Sequence, residues 1–394
     1  MKKLFVLAIA CLSFVLTAQE KPDYQSIANK VVNQSLDVKP GELVVVSGTP
    51  AELELIEALL VEVSKAGGHC SVELNLPKAN HKAIMETPVK YLAMVNPYPL
   101  FQARVVDCYI STGSVQEPAL FTDVPEEKLK AMRMRNIALR DAFNRAKYRS
   151  VSIGQTGGIP SQSYAELVGM NHSDMLNNFW NAIDTDYEMM RIDSDVLKTY
   201  LKAGSIVTVS SKEGTSLSFN LAGTDIRTNC GDCTKLNNDG GPTAAWLPAG
   251  EVYACVDPQS ANGLLVIPHY TYNGEILTDL KMTFENGVLT DLSGNGNLDR
   301  IKEALDSNPK DKNCLSIVDI GINRDRKYTE GTQYASWEMA GMLTFFIGDN
   351  SWAGGSVSSQ YSMGVHAPLH SMEIGNTELI SEGEILLLDD MATK

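Results

Sequence analysis

The stretch from Gly41 to Leu76 reads "GELVVVSG", "AELELIEALLVEVSKAGG" and "CSVELNL", separated by only a few residues. The first run is apolar and β-branched and ends at a glycine. The second carries apolar residues at helical spacing and stops at Gly67-Gly68, and the third reads as the next strand. Strand, helix, strand in that order leaves few folds open: the helix is a crossover, the two strands lie parallel, and the helix packs on their sheet. "RVVDCYIST" and "YRSVSIGQTGG" read as further buried strands, with the charged amphipathic helix "EEKLKAMRMRNIALRDAFNRA" between them. "TGGIP" has neither the lysine of a phosphate loop nor dinucleotide-type glycine spacing, so it is read as a plain loop.

Near residue 200 the pattern changes. "SIVTVSSKEGTSLSFNLAG" is two alternating segments around Lys212-Glu213-Gly214, a hairpin. "EVYACV", "GLLVIPHYTYNGEI", "LKMTFENGVLTDLSG", "SIVDIGIN" and "MLTFFIG" follow as short strands, with "LDRIKEALDS" the chief helix. The expected fold is an α/β domain over 19–195, a parallel sheet with helices. A β-rich α+β domain over 196–394 follows and carries the site. The seam between two such units is the default place for a ligand.

Met1-Lys2-Lys3 and the apolar run Leu4 to Ala18, broken only by Ser13 and Thr17, have the marks of an export signal over residues 1–18. The run is shorter than a bilayer span requires. Export to the periplasm or beyond, with no membrane attachment after cleavage, is the expectation. The formal charge is −15, and removal of Lys2 and Lys3 makes it more negative. Such a field argues against nucleic acid and anionic membrane as partners.

Cys230-Gly-Asp-Cys233 is the one CxxC. Zinc would need a second pair, and a redox CxxC normally opens a helix after a strand. Its flanks "DIRTN" and "TKLNNDGGP" read as loop, leaving either a loop-closing disulfide or two unpaired thiols. In "VHAPLHSMEI" two histidines stand four apart, but Pro368 between them discourages the helix that paired ligation would need.

"LPAGEVYACVDPQSANGLLVIP", "DIGINRDRKYTEGT", "EMAGMLTFFIG" and "APLHSMEI" resemble, in order and spacing, blocks of the aminopeptidase T/S family of metallopeptidases. Upstream, "VKPGELVVVSG" and "GTSLSFNLAG" fit as well. The resemblance implies a two-metal aminopeptidase, in which carboxylates and histidines hold divalent ions that activate water. It places ligands at Glu251 and His370, whereas Ile317, Thr344 and Met372 stand where the family has a glutamate, a histidine and an aspartate. Ser351 stands where the family has a tyrosine thought to assist catalysis. Asp319 shares a strand face with Ile317, and Glu373 follows Met372, so a rebuilt site would be Glu251, Asp319, His370 and Glu373.

Two readings follow. One is an exported metal-dependent aminopeptidase whose single zinc, manganese or cobalt ion removes N-terminal residues from peptides. The other is a relative with no metal, whose cleft binds a small ligand, a peptide or a partner. A resemblance to ring-cleaving dioxygenases of pyridine catabolism ranks lower, because they too need the missing histidine and aspartate. His269 is near the expected seam, and Trp337, Trp352 and Tyr361 are read as either cleft lining or core. Glu373 and His366 are expected to be solvated unless metal recruits Glu373. A homodimer is implied by the resemblance alone.

Overall fold

The computed structural model describes residues 22–114, 117, 120–146, 148–154, 158–233, 243–272, 274–359 and 361–386. The expected leader, "TKLNNDGGP" and part of "TGGIP" lie outside these residues. Among the described residues no helix is long and apolar enough to cross a membrane.

β1 (Leu43–Gly48), the helix Leu53–Lys65 and β2 (His69–Leu74) form the expected crossover. The helix starts on a capping box, Thr49 with Glu52, and turns Leu55, Ile56, Leu59 and Val63 inward. β3 (Cys108–Thr112) and β4 (Arg149–Ile153) flank the helix Glu126–Arg145. All four strands run parallel, in the order β2-β1-β3-β4.

The chain then makes β5 (Ile206–Ser210), β6 (Ser216–Asn220), β7 (Arg227–Asn229), β8 (Thr243–Leu247) and β9 (Glu251–Cys255). β10 (Asn262–Tyr272), β11 (Glu275–Glu285), β12 (Val288–Asn295), β13 (Leu315–Gly321) and β14 (Leu343–Gly348) follow. The last strands are β15 (Ser362–Ala367), β16 (Ser371–Ile374), β17 (Thr377–Ser381) and β18 (Glu384–Ile385). An eight-stranded antiparallel sheet has the order β12-β11-β10-β6-β5-β16-β17-β18, and a five-stranded one the order β15-β14-β13-β9-β7. The α/β unit followed by antiparallel sheets is the expected fold class. Two details differ from the sequence reading. β8 adds itself to β4 as a fifth parallel strand, so sheet membership does not change over at residue 195. "DIRTN", expected as loop, supplies β7, which pairs with β9.

The smaller antiparallel sheet positions the site. Every residue of β9 and of β13 is buried. Side chains alternate between the faces of a strand. Val252, Ala254, Val318 and Ile320 therefore face the main core, where Phe345 meets Phe219 of the larger sheet edge-on at 6.3 Å. Glu251, Tyr253, Ile317 and Asp319 take the other face, and Tyr253, Cys255 and Ile317 form a small apolar cluster there. Against Gly321 passes the segment around Trp337–Met339. A Cβ on Gly321 would stand 2.1 Å from the Met339 carbonyl oxygen and 2.3 Å from that of Trp337. Both obstacles are backbone, which cannot swing aside. Gly321→Ala should therefore lower stability by about 1–3 kcal/mol, the usual cost of overpacking. A urea midpoint equal to that of the unmodified protein would show that the segment does not seal the sheet.

Candidate functional site

Pairing register lines up five residues across the smaller sheet. Arg227 faces Tyr253, Tyr253 faces Asp319, Asp319 faces Thr344, and Thr344 faces His366. Directly opposed residues in antiparallel strands point to the same side. One residue pair along lies Glu251, opposite Asn229 on one flank and Gly321 on the other. Glu251 is fully buried and Asp319 is 2 % exposed, so two carboxyl groups occupy one dry face.

Glu251 is satisfied by the protein itself. Trp246 Nε1 donates to Oε1 at 2.8 Å, and Asn229 Nδ2 donates to Oε2 at 2.7 Å. Asp319 Oδ1, by contrast, has no hydrogen-bond partner. A third carboxylate, Glu338, comes from the segment over Gly321 and is 2 % exposed. It forms an ion pair with Arg326 and accepts the Ser336 hydroxyl proton. Arg326, itself buried, also donates to the Tyr334 hydroxyl, and its guanidinium lies over the rings of Phe179 and Tyr334.

Electrostatics follow from this crowding. Burial, then the charges of Asp319 and Glu338, pushes the Glu251 carboxyl well above its ordinary range. Burial and the Glu338 charge do the same to Asp319. His366 hydrogen-bonds the Thr344 hydroxyl through Nδ1 at 2.9 Å. Burial, with His269 and Arg326 nearby, pulls its pKa down to about 4, so the ring is neutral at physiological pH.

A cavity of about 300 Å³ opens where the parallel sheet meets this one. Pro160 and Pro248 line it from the ends of the parallel sheet. His269 lines it from β10, Arg326, Trp337 and Glu338 from the connection to β14, and His366 from β15. A more open groove of about 590 Å³ continues it and shares Tyr270, Trp337, Gly364 and His366.

The four residues expected as metal ligands are not brought together. Glu251 and Asp319 share the sheet face. His370 lies past the corner after β15, where Pro368 and Leu369 carry the chain into the larger sheet. Its Nε2 meets the Thr215 hydroxyl at 2.8 Å and its Nδ1 the Pro368 carbonyl at 2.9 Å, and it lines neither space. Glu373, on β16, is exposed. His366, expected to be solvated, lines the cavity together with His269. Cys230 and Cys233 are both buried free thiols. Burial raises the Cys233 thiol to about 12, far from a reactive thiolate.

Sequence reasoning missed Glu338 and Arg326. They stand among several charged residues in the long connection between the apolar strands "SIVDIG" and "LTFFIG", and nothing in the sequence separates them from Arg324, Asp325, Lys327 or Glu330.

The family described as thermophilic metalloprotease (M29) matches residues 20–313. This chain belongs to that family. Among solved structures it resembles wild-type AmpT from Thermus thermophilus, at 13% identity over 92% of this chain and 99% of that one, with a TM-score of 0.69. It also resembles 2,5-dihydroxypyridine dioxygenase from Pseudomonas putida KT2440, at 13% identity over 92% of this chain and 97% of that one, with a TM-score of 0.57. These are likenesses of fold. No curated protein matches in sequence. Of the five positions compared with family ligands, only Glu251 lies inside the matched residues; Ile317, Thr344, His370 and Met372 lie beyond them.

The M29 family is metal-dependent, so the donors present need testing against a divalent pair. Such a centre needs anionic and imidazole donors free to turn toward a shared ion. Glu251 has both oxygens engaged by Trp246 and Asn229, Glu338 is engaged by Arg326 and Ser336, and Thr344 offers only a hydroxyl. Among the described residues no three His, Cys, Asp or Glu side chains gather closely enough to hold a metal. The residues do not fit a two-ion centre.

The upward push on the Asp319 carboxyl carries a testable sign. Well below its ordinary value of 3.8 the folded and unfolded chains both hold the proton. As pH rises through that value the unfolded chain ionises while the folded one does not, so stability is lost toward higher pH. Asp319→Asn should thus gain melting temperature over the unmodified protein at about pH 8, and that gain should shrink near pH 3. A gain that is larger at the acid end would contradict a neutral Asp319.

Proposed function

We propose that this M29-family protein is an exported ligand-binding relative of the metal-dependent aminopeptidases. Its cleft takes a peptide or small organic molecule and does not carry out two-metal hydrolysis. The carrying observation is the pairing of the site's donors with one another: Glu251 with Trp246 and Asn229, and Glu338 with Arg326. Family membership supports an aminopeptidase-like, metal-dependent ancestry for the cleft. The ligand positions held by Ile317, Thr344 and Met372 support loss of the ions. No step of peptide hydrolysis is assigned to these residues.

Within the cleft each group has a task that needs no ion. Arg326 and Glu338 brace the segment over the sheet as a buried ion pair, rigid because removing either partner strands a charge. Neutral His366, held at Nδ1 by Thr344, lines the cavity as an uncharged polar group. The proline and aromatic walls exclude water from the bound group.

The test is direct. Purified protein should contain far less than one equivalent of zinc, manganese or cobalt by mass spectrometry. It should release no chromophore from leucine p-nitroanilide, even after those metals are added. Stoichiometric metal together with turnover that Glu251→Ala abolishes would establish the enzyme reading instead.

Export and self-association belong to the same proposal. Leu74 and Leu76 at and beyond edge strand β2, with Tyr91, Met94, Tyr98 and Phe101, are exposed apolar side chains on the parallel-sheet unit. A second copy is the proposed cover for that face. Light scattering should give twice the chain mass, and Leu74→Glu with Phe101→Glu should reduce it to one. A monomer before substitution removes the dimer.

A further inference from the structure

Three of the chain's four tryptophans gather beside the cavity, in a protein whose aromatic content is 7%. Trp246 stacks near Trp337 with centroids 6.2 Å apart, and Trp337 meets Phe346 at 5.6 Å. Phe346 meets Trp352 at 5.9 Å, Trp352 meets Tyr253 at 5.6 Å, and Tyr253 returns to Trp246 at 6.4 Å. The five rings thus close a circuit. Across the groove stand Tyr270 and Tyr272, stacked at 5.9 Å. This is more aromatic surface than a core at the edge of a sheet requires, and Trp352 leaves 43 % of itself exposed.

The electrostatics of the groove favour one class of occupant. An aromatic face attracts cations through its quadrupole. Protein cations lie over the rings of Tyr187, Tyr91, Phe179 and Tyr334; among the described residues none is recorded over a ring of the groove. Among the described residues no lysine, arginine, aspartate or glutamate lines the groove. Its one ionisable imidazole, His366, is neutral at physiological pH. Arg227 acts on Tyr253 but lines neither space. The Trp246 N–H is bound to the Glu251 carboxyl, which fixes the indole in place. The whole chain carries −15, which steers cations inward.

We infer that the groove is a recognition site for an organic cation, an alkylated ammonium group carried on a small molecule or peptide, seated among Trp246, Trp337, Trp352 and Tyr272. The inference rests on the reading of the cleft as a binding site and names its ligand class. The remainder of such a ligand has room in the 300 Å³ cavity that shares Trp337 and Tyr270 with the groove. A hydrated lysine-like ammonium is a weaker candidate than an alkylated one, which surrenders little hydration on entering an aromatic cage.

The probe is choline, set against its uncharged isostere 3,3-dimethylbutanol, with the full-length purified protein. Choline should change tryptophan fluorescence saturably and bind roughly tenfold tighter than the isostere, the preference expected of a partly desolvated cation–aromatic contact. Trp352→Ala should remove that preference while leaving the melting temperature near that of the unmodified protein, because the side chain is half exposed. Tyr272→Ala is the second variant should the first misfold. Equal binding of both compounds would mean an apolar groove only, and would overturn the inference. So would binding of neither, or choline binding untouched in both variants. Turnover of leucine p-nitroanilide in a protein that still prefers choline would overturn the non-hydrolytic reading and leave this one standing.

Discussion

The rest of the site depends on how two carboxyl groups are kept inside a dry sheet. Taking an ionised carboxylate out of water is prohibitive unless a cation or a proton neutralises it. Glu251 and Asp319 sit on adjacent fully buried strands, with Glu338 close enough to raise both. That constraint explains the neighbours. The Trp246 indole and the Asn229 amide are spent on Glu251, and a guanidinium is brought through Phe179 and Tyr334 to meet Glu338. Gly321 is bare so that the segment bearing Glu338 can lie against the strand.

Much of the architecture was legible because local patterns and the global fold agree. The glycine-terminated run at Val44–Val46 and the helix ending at Gly67-Gly68 have one solution, a crossover onto a parallel sheet. The alternation around Lys212-Glu213-Gly214 has one solution too, a hairpin. β8 was not legible as a parallel strand. "TAAWL" is short, and nothing in it says which of three sheets it will join. Sheet membership is decided by long-range pairing, which no local pattern records.

The same limit explains the histidines. In "VHAPLHSMEI" the resemblance favours His370 as a ligand and leaves His366 as a solvated residue. The chain crosses from one sheet to another at Pro368–Leu369, where Leu369 takes a positive φ of 57°. That corner separates the two imidazoles: His366 stays with Thr344 and Asp319's row, and His370 turns to Thr215. Asp319 was legible, because a lone carboxylate in an apolar strand must find some answer to burial. Glu338 was not singled out, because it lies in the connection between β13 and β14 and not in an apolar strand, so that argument does not reach it.

Charge balance gives the site its character. Three buried carboxyl groups face one buried guanidinium, and one guanidinium can neutralise one carboxylate. Arg326 is committed to Glu338 by direct contact, so Glu251 and Asp319 must be answered by something else. Burial and the Glu338 charge push both groups toward keeping their protons, and hydrogen bonds from Trp246 and Asn229 offset only part of that for Glu251. A carboxyl that keeps its proton is a neutral hydrogen-bonding group, and Asp319 retains one oxygen with no partner. Glu251 and Asp319 stand behind the cavity rather than in its lining; the charges that do line it, Arg326 and Glu338, offset one another, and the walls are aromatic. Selectivity in the groove comes from shape and from the quadrupoles of the rings, which reward a diffuse positive charge.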